Sequence, residues 1–211
     1  MPRALIFDLD NCLAAADEVG AEFYQPAFTA MRKANRGTLS EQQLEEAFSD
    51  CWRQPLDHVA RRYGFSREML AAGWAIFSEM AVQTPMKGYG DLEVLKDLPF
   101  QRYLVTSGFR RLQESKIKAL NLAPLFERIE IDAIDEAGRK GKRGIFESIL
   151  EAASMSEKEV VVVGDNPESE IEAGNALGMR TVQILRPGVS RGNNADWYIH
   201  SLAELGPLLV K

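Results

Sequence analysis

Three observations in the 211 residues predict an α/β fold: a Rossmann-like parallel sheet with helices on both faces and an inserted helical subdomain. Short apolar runs recur with helical patterns between them, as a parallel sheet with crossover helices requires. One run, Val160-Val-Val-Val163, has no polar alternation and reads as a central strand buried on both faces. From about 14 to 84 the alternation stops, leaving helical patterns and no convincing strand.

Taken in order, the first strand is Ala4-Leu-Ile-Phe7. In the insertion, Ser40-Glu-Gln-Gln43 forms a capping box ahead of Leu44, Ala47, Phe48, Cys51 and Trp52, which recur at helical spacing. Ser66 is expected to cap a further helix carrying Leu70, Trp74, Phe77 and Met80. Pro85, Gly88 and Gly90 punctuate the return to the core, and Leu92, Val94 and Leu95 begin its next helix. Tyr103-Leu-Val-Thr106, Ile129-Glu-Ile131, the Val160 run and Thr181-Val-Gln-Ile-Leu185 supply the remaining strands. The chain thus divides into a core, 1–13 with 85–211, and a helical insertion, 14–84.

Composition narrows the function. With 45% hydrophobic and 27% charged residues and a net charge of −6, the chain suits a globular domain and argues against a dedicated nucleic-acid binder. Cys12 and Cys51 are too few for a disulfide framework, and the N-terminus reads as a strand where a leader needs a basic then apolar run. No apolar stretch approaches the roughly 20 residues of a membrane helix. A cytoplasmic monomer or homodimer acting on a small molecule, with no nucleic-acid or membrane partner, is expected.

Candidate chemistry gathers at strand ends. Asp8-Leu-Asp10 leaves the first strand where ligands sit in open α/β sheets, and period-2 alternation sends both carboxylates to one side. Their repulsion is relieved by a divalent cation, although a solvated loop with an N-cap aspartate also accounts for the pair. Gly164-Asp165 follows the Val160 strand, and Asp165 could complete an all-oxygen site suited to Mg²⁺ or serve as a turn residue. Thr106-Ser107-Gly108 precedes a helix beginning near Phe109, where hydroxyls and amides bind phosphate or cap the helix. Gly138-Arg-Lys-Gly-Lys-Arg143 is a basic run from which one lysine could reach the same edge.

Together these segments resemble the haloacid dehalogenase superfamily. Its D-x-D-x-T motif matches Asp8 to Cys12, with cysteine at the threonine position. Its strand-end Thr/Ser matches Thr106, and its G-D-then-acid motif matches Gly164, Asp165 and Glu170. Counting back from Ile145-Phe146 places the motif lysine at Lys140, with Lys142 as fallback. Insertion directly after the first motif looks like the subfamily with an α-helical C1 cap. The resemblance implies a Mg²⁺-dependent phosphatase of small phosphorylated metabolites: Asp8 as nucleophile, Asp10 as acid and base, Lys140 balancing charge, and Thr106 with the Ser107 amide holding phosphate. Asp8, the Asp10 carbonyl and Asp165 would hold the metal, with Glu170 outside the first set of ligands. It also implies phosphate over halide, because family dehalogenases lack the second aspartate. A phosphomutase, or a non-enzymatic binding module on the same fold, remains open. Lys33, His58 and His200 read as surface or cap residues, and Trp52 and Trp74 as core packing.

Overall fold

The five expected strands form as β1 (Ala4–Phe7), β2 (Gln101–Gly108), β3 (Arg128–Ala133), β4 (Val160–Gly164) and β5 (Arg180–Ile184) in a computed structural model describing residues 1–210. A sixth, β6 (Trp197–Ile199), is three residues long, too short to show a period in sequence, and takes its strand form by pairing with β5. The sheet order is β3-β2-β1-β4-β5-β6, with every neighbouring pair parallel.

Between β1 and β2 run α1 (Gln25–Ala34), α2 (Glu41–Asp50), α3 (Leu56–Tyr63), α4 (Arg67–Phe77) and the short α5 (Val94–Asp97). The core continues with α6 (Arg110–Ala119), α7 (Gly141–Ala153), α8 (Glu170–Ala176) and α9 (Leu205–Leu209). Both predicted caps form. Ser40 accepts from the Gln43 amide while Gln43 accepts from the Ser40 amide, and Ser66 accepts from the Met69 amide at 3.1 Å.

Alternation along β1 explains its two-sided burial. Ala4 and Ile6 join Tyr103, Val105, Val160 and Val162 on one face, whereas Leu5 and Phe7 join Leu104, Val161 and Val163 on the other. The insertion has its own apolar core, in which Phe28, Met31, Leu44, Phe48, Met69 and Phe77 are buried. Close approach of α1 and α4 depends on Gly73, where a Cβ would lie 2.6 Å from the Met31 sulfur. This core is continuous with Phe109, Leu112 and Ile134 of the sheet domain; the Phe77 and Phe109 rings stack at 5.7 Å. The insertion is therefore anchored by apolar contact over the carboxyl edge of the sheet.

The strand order also says where a ligand belongs. The chain leaves β1 for β2 and β3 on one side, then crosses back to β4 and β5 on the other. The crevice between the ends of β1 and β4 is a topological switch point, and Asp8 and Asp165 are the residues that emerge there.

Candidate active site

Each carboxylate at this crevice is placed by a short local device. After β1, the Asp8 amide donates to the Val163 carbonyl at 3.0 Å, carrying the register one residue past the strand. The chain then turns sharply, because the Leu9 carbonyl accepts from the amides of Cys12, Leu13 and Ala14, with Asn11 at φ 55°. Asn11 tolerates that left-handed backbone, and its Oδ1 accepts from the Ala16 amide at 3.1 Å. Cys12 occupies the threonine position of the resembled motif. It is fully buried, and its Sγ lies 3.7 Å from the Val163 carbonyl, a weak thiol contact tying the turn to β4.

On the β4 side Gly164 is required by space, since a Cβ there would fall 2.2 Å from the Glu170 Oε1. Glu170, the first residue of α8, accepts from the Asn166 amide at 2.6 Å and from Lys142 Nζ at 2.7 Å. Lys142 Nζ also donates to Asp8 Oδ1 at 2.7 Å. One ammonium thus bridges two buried carboxylates. Asp8, Asp165 and Glu170 each offer an oxygen within 4.8 Å of the others. Among the described residues no hydrogen-bond donor reaches the Asp165 carboxylate. Three acids, one lysine and an all-oxygen donor set fit a hard divalent cation.

The electrostatics follow from that crowding. Burial raises the Asp8 carboxyl, Lys142 pulls it down, and Glu170 pushes it up again; the balance stands at about 7 against an ordinary 3.8. Asp165 is raised well above its ordinary value, first by burial and then by Glu170 and Asp8. Burial alone would strip the Lys142 proton, but the charges of Asp8 and Glu170 outweigh it and hold the ammonium well above its usual range.

One expectation from the sequence needs correction. Lys140 is exposed at the N-terminus of α7, and its Nζ lies on Ser148 Oγ at 3.1 Å; the lysine beside Asp8 is Lys142. Helical phase explains why: Lys142 shares the buried stripe of Ile145, Phe146 and Ile149, at spacings of three, four and seven. Lys140, two residues earlier, falls off that stripe. Glu170 adds its carboxylate to those of Asp8 and Asp165, and the Asp10 carboxylate lies outside that cluster, which leaves the Asp10 carbonyl as the group the sequence reading assigned to the metal. Glu170 is 1% exposed and touches Lys142 directly.

The phosphate side is mixed. Thr106 is buried at the end of β2 and lines the cleft. The Ser107 hydroxyl turns away to donate to Asp132 Oδ2 at 3.1 Å, which leaves its amide as the group the sequence reading assigned to phosphate. Asp132 also accepts from the Gly141 amide and from Arg139, which reaches Asp57 of α3 at 2.6 Å. This chain of contacts joins the β2 end, the loop before Lys142 and the insertion. Asp57 and Asp132 did not stand out in the sequence, and Arg139 did so only as one cation of the basic run, because each is an ordinary surface residue type until the fold brings them together.

The insertion closes the cleft with Tyr24, Cys51, Trp52, Arg53, Leu56 and Phe77. Trp52 stacks on Tyr24 at 4.0 Å and is half-buried, so it both packs and faces the cleft; Trp74 packs edge-on against Phe109. Lys33, His58 and His200 are exposed. Among the described residues no helix is long and apolar enough to cross a membrane.

Comparison with known proteins bears on this geometry. A family model described as haloacid dehalogenase-like hydrolase matches residues 5–184. Over 112 residues the chain is 31% identical to the pyrimidine 5′-nucleotidase YjjG of Escherichia coli (strain K12), covering 51% of this chain and 49% of that protein. Over 67 residues it is 39% identical to the enolase-phosphatase E1 of Sorangium cellulosum (strain So ce56), covering 32% and 27%. The matches therefore span half or less of these curated relatives. Among solved structures, a HAD phosphatase from Thermococcus onnurineus superposes with a TM-score of 0.65 at 22% identity, covering 99% of this chain and 98% of that one, a likeness of fold.

Proposed function

The chain belongs to the haloacid dehalogenase-like hydrolase family, and from that premise we propose that it is a Mg²⁺-dependent phosphatase of a small phosphorylated metabolite. The observation that carries this reading is Asp8 at the switch point, ion-paired to Lys142 at 2.7 Å beside Asp165 and Glu170.

Asp8 attacks phosphorus, and the bond from phosphorus to the leaving oxygen breaks as an aspartyl phosphate forms. The Asp10 carboxyl gives its proton to that oxygen. In the second displacement Asp10, now a carboxylate, takes a proton from the attacking water; inorganic phosphate leaves and both acids return to their starting states. Asp8, Asp165 and the Asp10 carbonyl would hold Mg²⁺, with Glu170 beside them; when bound it would supply positive charge between nucleophile and phosphate. Lys142 restrains Asp8 and offsets the charge of the acidic cluster. Thr106 and the Ser107 amide face the phosphate oxygens. The insertion excludes bulk water and supplies the walls that meet the leaving group.

Asp10 favours phosphate chemistry over dehalogenation, since carbon–halogen cleavage has no use for a second carboxyl at this place. The aromatic wall of Trp52 and Phe77, together with the partial likeness to a pyrimidine 5′-nucleotidase, makes pyrimidine nucleoside monophosphates the first substrates to try. Hydrolysis of p-nitrophenyl phosphate is expected to require Mg²⁺, to stop with EDTA, and to fall about 10⁴-fold or more in Asp8→Asn. Undiminished turnover in either condition overturns the reading. Slow hydrolysis with fast interconversion of a sugar-phosphate pair, once the matching bisphosphate is added, would mark a phosphomutase instead.

A further inference from the structure

A second lysine is buried in the cleft, and nothing in the reaction described above uses it. Lys116, on α6, is 1% exposed, and its Nζ donates to Asp10 Oδ1 at 2.7 Å. Gln113, one turn earlier, donates from Nε2 to Asp10 Oδ2 at 3.1 Å and to the Ser107 carbonyl at 3.1 Å. Both oxygens of Asp10 are therefore held from one helix. Gln113 leaves its own Oε1 buried without a partner among the described residues, so its amide is oriented by what its NH₂ serves. Burial alone would lower the Lys116 ammonium, but Asp10, with the Tyr24 hydroxyl beside it, outweighs burial and keeps it charged.

Solubility of the carboxylate does not explain this arrangement. The Asp10 side chain is 21% exposed and water can reach it, whereas burying an ammonium is costly unless the geometry returns something. What the pair provides is a fixed place and plane for the carboxyl group. We propose that Lys116, braced by Gln113, is a positioning residue that holds the Asp10 carboxyl where it serves the leaving oxygen. It thereby governs esters whose leaving group must take up a proton. This rests on the phosphatase reading above. Cleavage proceeds from the form in which Asp10 has taken up a proton from solvent: in the first displacement its O–H bond breaks as the leaving oxygen accepts that proton, and Lys116 keeps its own protons throughout.

The test compares leaving groups. An alkoxide needs that proton and a nitrophenolate does not, so a positioning defect separates the two substrates. Turnover of a primary alkyl phosphate and of p-nitrophenyl phosphate is measured with Mg²⁺ in the native protein, Lys116→Met, Asp10→Asn and the double variant. For Lys116→Met we expect kcat/KM on the alkyl ester, which reports the first displacement alone, to fall about 100-fold. The fall in kcat/KM on the nitrophenyl ester is expected to be about ten times smaller. In the Asp10→Asn background, Lys116→Met should remove nothing more, because its effect passes through Asp10. Equal losses on both substrates, or a full further loss in that background, would overturn the proposal. Should Lys116→Met fail to show a cooperative melt, Gln113→Met answers the question, with the same selectivity change at about three- to tenfold expected and an unchanged substrate ratio overturning it. If the native protein hydrolyses neither ester, the phosphatase reading falls and this inference with it. If it hydrolyses both and the ratio does not move, only this inference falls.

Discussion

Two buried lysines meet the two aspartates of one short motif, and the protein treats them differently. Lys142 is placed between Asp8 and Glu170 with Asp165 close by, at the floor of the cleft where every partner is buried. Lys116 meets a single acid, Asp10, with the Tyr24 hydroxyl and Gln113 alongside, on the side of the cleft where the carboxylate is partly open. In the first place one cation faces three buried acids; in the second the charges match one to one. The difference teaches that the β4 side is built to accept more positive charge, whereas the α6 side is already balanced and can only orient.

That contrast can be broken most directly by deleting each cation in turn. Lys142→Met leaves buried carboxylates without their shared partner and is expected to cost about 3–5 kcal/mol of stability. Lys116→Met, beside a carboxylate that water can reach, is expected to cost clearly less. Chemical denaturation without divalent cation checks this, and equal losses would erase the distinction. Because the β4 side can accept a cation, added Mg²⁺ should recover part of the loss in Lys142→Met and none of it in Lys116→Met.

The β4 side can be tested more finely through Gly164. A methyl group there would collide with the Glu170 carboxyl, so Gly164→Ala is expected to destabilise by about 1–3 kcal/mol while leaving the α6 side intact. A melting temperature like that of the native protein would show that Glu170 can move aside.

The smallest effect comes from a third buried cation that serves structure alone. Arg186 donates to the Cys12 carbonyl at 3.0 Å and makes two hydrogen bonds to Asp91, at 2.8 and 2.9 Å, bracing the turn after β1 from behind. Burial would raise the Asp91 carboxyl, but the Arg186 hydrogen bonds, the Leu202 amide and Ser201 outweigh it and hold it below its ordinary 3.8. A carboxyl depressed on folding contributes stability that is fully present above 3.8 and is lost as pH falls through its lower folded value. The stability gap between the native protein and Asp91→Asn should therefore be flat from pH 5 to 8 and narrow only in stronger acid. A gap that narrowed near neutrality would contradict this account.

Much of this arrangement was legible before the chain folded. Val160 to Val163 announced a strand buried on both faces, Ser40 and Ser66 announced helix starts, and Asp8 and Asp165 announced acids gathered at strand ends. These are local signals, set by periodicity, capping and the covalent order of residues. Lys142 is legible too, through the stripe it shares with Ile145, Phe146 and Ile149, a period that a spacing counted from Ile145-Phe146 does not carry. Gln113 and Lys116 gave the same kind of signal, polar residues on the stripe of Phe109, Leu112 and Ile117, which marks a buried polar pair without saying what it meets.

The partners themselves belong to tertiary structure. Lys116 lies 106 residues from Asp10, Arg139 lies 82 from Asp57, and Arg186 lies 174 from Cys12. No pattern within a helix or strand encodes such separations. They arise because a parallel sheet with a central β1 brings the ends of β2 and β4 to either side of Asp8, and because the insertion folds back over that edge. By itself the sequence determined which residues could be charged, buried and helical. Only the packed fold decided which charge meets which, since pairing depends on the register between distant elements and on the exclusion of water from the space they enclose.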